Sequence, residues 1–65
     1  MPINYDAAAA RHYGDIRSRL EKAGTLIGPL DTLIAAHARS LNTLLITNNL
    51  GEFRRVPGLR VEDWI

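Results

Sequence analysis

Asp31 sits two places after the pair Gly28-Pro29, at the start of the segment PLDTLIAAHARSL. A carboxylate there suits two kinds of work. It is a hard oxygen donor of the type that gathers Mg²⁺ or Mn²⁺, ions that generate hydroxide and offset charge on a phosphate. It also complements the positive N-terminal pole of a helix, and periodicity alone favours that plainer role. Further on, Thr47, Asn48, Asn49 and Glu52 follow an apolar run. If that run is a strand of an open parallel sheet, these residues lie where ligands bind, beyond the strand's C-terminal end. The bland alternative is that the two asparagines shape a turn and Glu52 is solvated. Arg54 and Arg55 come next. Arginine holds phosphate bidentately, although two adjacent loop arginines are more often simply solvated. His12 and His37 lack the spacing of a metal pair, and His37, on an alanine-rich helix, reads as a packed histidine rather than a general base. No Ser-His-Asp arrangement and no phosphate-cradling glycine loop is present.

These side chains must be positioned by 65 residues, one domain at most. A domain of that size buries only roughly 60% of its unfolded surface and usually needs a staple. There is no cysteine, so disulfides and thiolate metal sites are excluded. The absence fits a reducing cytoplasm. Apolar residues make up 46% of the chain, too many for a disordered one. The net charge of +1 is too mild to argue for nucleic acid by itself. No apolar run is long enough for a membrane span, and the first residues do not read as a secretory signal. An apolar short chain without staples is expected to complete its core with something outside itself.

Asn4 or Asp6 can cap a first helix that Gly24 ends. Ala9, Tyr13, Ile16, Leu20 and Ala23 share its apolar face; Arg11, Asp15, Arg19 and Lys22 line the opposite one. Gly14 weakens this helix unless a close neighbour requires it. Pro29 opens a second helix running to about residue 41, with Leu30, Leu33, Ile34, His37 and Leu41 as its expected buried face. Its alanines allow close packing on a sheet. Residues 43–47 (TLLIT) read as a strand buried on both faces. Residues 50–53 suit a single helical turn, and Val56-Pro57-Gly58 a type II turn. Residues 59–64 alternate as an edge strand. Phe53 and Trp64 are expected core or edge-packing residues. The order helix, helix, strand, turn, strand predicts an α/β class, and two strands alone do not make a stable sheet.

Residues 27–41 (IGPLDTLIAAHARSL) and 43–64 (TLLITNNLGEFRRVPGLRVEDW) closely resemble the C-terminal half of the VapC-type PIN-domain ribonucleases. The preceding HYGDIRSRLEKAGTLIG is similar to the helix that comes before Gly-Pro-x-Asp in that family. The resemblance implies a partial PIN-like α/β fold over residues 1–65, drawn from a three-layer architecture with a parallel sheet. It implies RNA cleavage with Mg²⁺ or Mn²⁺ held by clustered acids, silencing by an antitoxin protein, and commonly a homodimer. Asp31 then corresponds to the third acid of the cluster. For the fourth acidic position, either Glu52 supplies the charge or Asn49 holds a water on the metal. Arg54 and Arg55 are candidates to hold the RNA backbone or meet an acidic antitoxin segment.

The family also has an early strand ending in Leu-Asp-Thr-Asn and a later helix carrying a catalytic Glu. This sequence shows neither, so the resemblance implies a PIN domain without its N-terminal half. On its own such a chain is expected to bind metal poorly and to cleave weakly or not at all. Its partner would be the complementing half, another copy or an antitoxin. A non-catalytic binding role is the alternative.

Overall fold

The computed structural model describes residues 7–63. The proposed caps Asn4 and Asp6, and Trp64, lie outside the described residues. Helix α1 spans Ala7–Ala23 and helix α2 Pro29–Ser40; strand β1 is Leu45–Ile46, helix α3 Leu50–Phe53 and strand β2 Val61–Glu62. The strands pair in parallel, Leu45 with Val61 and Ile46 with Glu62. The expected elements are all present in the expected order, with both strands shorter than the sequence pattern suggests.

Both long helices stop by the same device. Gly24 takes a φ of 70°, the Thr25 amide donates to the Leu20 carbonyl at 2.8 Å, and the Gly24 amide donates to that of Glu21 at 3.1 Å. Asn42 takes a φ of 51°, and the Thr43 and Asn42 amides reach the Ala38 and Arg39 carbonyls at 3.0 and 3.1 Å. This 6→1 and 5→2 pairing satisfies carbonyls that a helix end leaves without partners. The start of α2 is fixed by Pro29 following an extended Gly28. The buried Thr32 directs both its amide and its hydroxyl at the Gly28 carbonyl, each at 2.9 Å.

The core gathers Ile16 and Leu20 from α1, Ile27 from the connection that follows it, Ala35 and Ala36 from α2, then Phe53 and Val56; Tyr13, Leu45, Leu59 and Val61 pack against it. The apolar face of α1 is therefore as expected, except that Ala23 is exposed at the helix end. The face of α2 is not. Its buried positions are Thr32, Ala35, Ala36 and Ala38. Leu30 is 67% exposed, Leu41 71% and Ile34 39%, while Leu33 and His37 are half-buried. The small alanine side lets helix approach helix closely. It packs on α1 rather than directly on the sheet. Strand β1 also departs from expectation. Leu45 faces the core, but Leu44 and Ile46 on the other side are exposed, so only one sheet face is covered. Phe53 is buried, as expected.

Residues 56–59 form the anticipated type II turn. Gly58 has a φ of 78°, and the Leu59 amide donates to the Val56 carbonyl at 3.4 Å. One arginine ties this turn to both helices. Arg39, with its side chain only 13% exposed, donates from Nη1 to the Pro57 carbonyl at 2.8 Å, from Nη2 to Asp15 Oδ2 at 2.7 Å, and from Nε to His12 Nδ1 at 2.7 Å. Arg19 donates from Nε to Asp15 Oδ1 at 2.9 Å. The hydrogen bonds from Arg39 first, and then from Arg19, hold the Asp15 carboxyl below its ordinary value of 3.8.

Candidate functional site

Asp31 lies in the first turn of α2 and is half-buried. Pro29 and Gly28 put it there, because a helix that opens on Gly-Pro places its third residue against the free amides of the first turn. No side-chain hydrogen bond caps that end. Among the described residues, a Cβ at Gly28 would meet Asp31 Oδ2, at 3.9 Å.

The second candidate group follows β1. Asn49 occupies the N-cap position of α3, and its amide donates to Thr47 Oγ1 at 3.0 Å. Its side-chain Nδ2 donates to Glu52 Oε1, also at 3.0 Å. Asn49 and Glu52 thus form one unit. The amide orients the carboxylate and leaves Glu52 Oε2 and Asn49 Oδ1 as oxygen donors. Thr47 braces the loop through Oγ1, and Asn48 is exposed. Arg54 and Arg55 are exposed just past α3, with Arg55 donating from Nη1 to the Leu26 carbonyl at 3.4 Å.

The structure brings Asn49 and Glu52 together and leaves Asp31 on a separate element. Among the described residues no three His, Cys, Asp or Glu side chains converge as a metal site. The donor chemistry suits Mg²⁺ or Mn²⁺, since every candidate is a hard oxygen. The number of donors falls short of the octahedral shell that Mg²⁺ demands. The Asn49–Glu52 pairing is what the sequence reading missed when it set the two as alternatives. Their spacing of three across a helix start was the available signal.

Helices over a parallel pair, with oxygen donors at a helix start and past a strand end, define a partial α/β frame. A family model described as the PIN domain matches residues 1–59, and the chain belongs to that family. Its relatives include the tRNA(fMet)-specific endonuclease VapC of Shigella flexneri, 55% identical over 62 residues that make up 95% of this chain and 47% of the relative. Ribonuclease VapC2 of Haemophilus influenzae is 49% identical over 97% of this chain and 48% of its own length. Among solved structures, DNA-bound VapBC from Salmonella typhimurium matches with a TM-score of 0.89 and 51% identity, over 97% of this chain and 48% of that one. VapBC2 from Rickettsia felis, bound to a DNA fragment from its promoter, gives 0.88 and 44%, over 97% and 47%. The chain therefore spans about half the length of the VapC proteins it matches. Among the described residues no helix is long and apolar enough to cross a membrane.

Proposed function

We propose that residues 1–65 form part of the PIN domain of a VapC-type toxin, a divalent-metal-dependent endoribonuclease that acts on RNA in the cytoplasm and is silenced by an antitoxin protein. The observation that carries this reading is the placement of Asp31 in the first turn of α2 within a chain about half identical to VapC ribonucleases. Asp31 is a ligand for Mg²⁺ or Mn²⁺, Glu52 supplies a second carboxylate, and Asn49 orients it. A bound ion there supplies activated water and neutralises charge on the phosphate. Arg54 and Arg55 hold the RNA backbone. With so few donors the chain alone binds metal weakly and cleaves weakly or not at all, and it works with a complementing half or a second copy.

The test is cleavage of a mixed single-stranded RNA panel by the purified chain in Mg²⁺ or Mn²⁺, with light scattering on the same sample. Asp31→Asn and a chelator run beside it. Strong, Asp31-dependent cleavage by a demonstrated monomer would refute the statement that the site is incomplete. A second reading, a non-catalytic binding fragment, is favoured by the exposed Leu30, Ile34 and Leu41 on α2. It predicts antitoxin binding that survives Asp31→Asn, with no cleavage under any pairing.

A further inference from the structure

Half of the chain's eight lysines and arginines stand on one groove. It follows the outer side of α1 as two open hollows that share Asp15. Arg11 and Arg39 line the first; Arg19, Lys22 and Ser18 line the second. Of the chain's seven acids only Asp15 borders the groove, and both its oxygens are engaged. Arg19 Nε donates to Oδ1 at 2.9 Å and Arg39 Nη2 to Oδ2 at 2.7 Å. Arg11 and Lys22 are exposed, and among the described residues neither forms an ion pair. A chain with a net charge of only +1 thus concentrates a positive field along one side of a helix.

The layout favours an extended polyanion. Arg11 and Lys22 lie about 16 Å apart along the axis, at 1.5 Å per helical residue, so their charges are strung out rather than converging on one small anion. An anionic membrane surface fits poorly, because α1 buries its apolar Ile16 and Leu20 in the core and has none to insert. The groove also leads to the proposed metal site. Arg39, late in α2, bonds His12 and Asp15, early in α1, so the two helices run antiparallel. The Lys22 end is therefore the end at which the short connection enters α2 and Asp31. Arg55 meets that connection too, at the Leu26 carbonyl. We propose that the groove holds the phosphate backbone of single-stranded RNA, with Arg11 and Lys22 each neutralising one phosphate and Ser18 donating to another along the way. The strand continues past Lys22 towards Asp31. This rests on the reading above that the substrate is RNA, and adds a stretch of contact away from the cleavage point.

The probe is a fluorescein-labelled, twelve-nucleotide single-stranded RNA of mixed sequence. Its anisotropy is read with the chain in EDTA, which stops metal-dependent cleavage, from about 50 to 200 mM KCl. Each single-strand phosphate contact adds about 0.7 to the slope of log K against log salt. Arg11→Gln and Lys22→Gln should each lower the slope by about that amount and weaken binding about fivefold near 0.1 M salt. Arg17→Gln, exposed on α1 but off the groove, should leave the slope unchanged. Circular dichroism checks that all three variants keep their helices. No binding at the lowest salt, unchanged slopes in both groove variants, or an equal drop in Arg17→Gln would overturn the proposal. So would displacement of the RNA by polyglutamate as readily as by unlabelled RNA, which would mark a site for an acidic peptide. Cleavage in Mg²⁺ is scored separately. Groove-dependent binding without cleavage keeps the groove and removes the proposed activity; cleavage with binding indifferent to Arg11 and Lys22 does the reverse.

Discussion

Arg39 Nη2 lies 2.7 Å from Asp15 Oδ2, joining two helices across 24 positions of sequence. The same guanidinium spends its other donors on His12 and the Pro57 carbonyl. Replacing it with alanine leaves that carbonyl and a packed imidazole without their donor. Hydrogen bonds from a charged group contribute about 1.5–3 kcal/mol, so Arg39→Ala is expected to cost roughly 2 kcal/mol in urea unfolding. Lysine should restore little of it, since a single ammonium cannot fork to three acceptors spread over α1 and the turn at Pro57. Full stability in Arg39→Ala would refute the clamp.

Asp15 makes the clamp sensitive to acid. Its carboxyl titrates below 3.8 in the folded chain because Arg39 and then Arg19 favour the charged form. A lowered folded value means the contribution is complete above the unfolded value and is lost as pH falls through the folded one. Unfolding curves between pH 2 and 6 should show this loss below about pH 4, the usual carboxylate range. Asp15→Asn should flatten that part of the profile. An unchanged slope in the variant would rule the carboxylate out as its source.

Gly14 has no structural claim on its position. It is exposed in the middle of α1, and a Cβ there would meet nothing within 4 Å. The close neighbour that could have required it is absent among the described residues. Gly14→Ala should therefore stabilise the chain by about 1 kcal/mol. A loss of stability, measured by thermal or urea unfolding, would count against this helix.

The two helix ends provide a matched pair of substitutions. Gly24 and Asn42 both hold a positive φ, 70° and 51°. Asn42→Gly relieves the Cβ cost and should raise stability by a few tenths to 1 kcal/mol, whereas Gly24→Ala should lower it by about 1 kcal/mol. Equal effects of the two changes would mean that these ends do not share one geometry.

Some of this architecture was legible because local chemistry decided it. Pro29 opens α2, Gly24 closes α1, and Pro57-Gly58 makes the turn, each through the backbone angle its residue type permits. The buried face of α2 was misjudged because a stripe of leucine and isoleucine normally marks the core, and here alanines pack on α1 instead. At the candidate site, Asp31 was visible from Gly-Pro-x-Asp. The Asn49–Glu52 hydrogen bond was not, because spacing cannot show which side chains turn towards each other. Nothing in the sequence singles out Arg39, since its partners at positions 12, 15 and 57 are set only by the tertiary fold.

The long reach of Arg39 also fixes an order of events during folding. Its partners stand 27, 24 and 18 positions away, whereas the helices themselves close only local contacts. Non-local contacts pay loop-closure entropy before they return any energy. The individual helices should form first, and the guanidinium should lock only once they have paired and the turn at Pro57 has arrived. Removing it should then speed unfolding and leave the refolding rate nearly unchanged, which stopped-flow chevrons on Arg39→Ala can read directly. A slowed refolding arm would place the lock in the transition state. In kinetic terms Arg39 acts as a latch, setting how long the assembled chain stays closed.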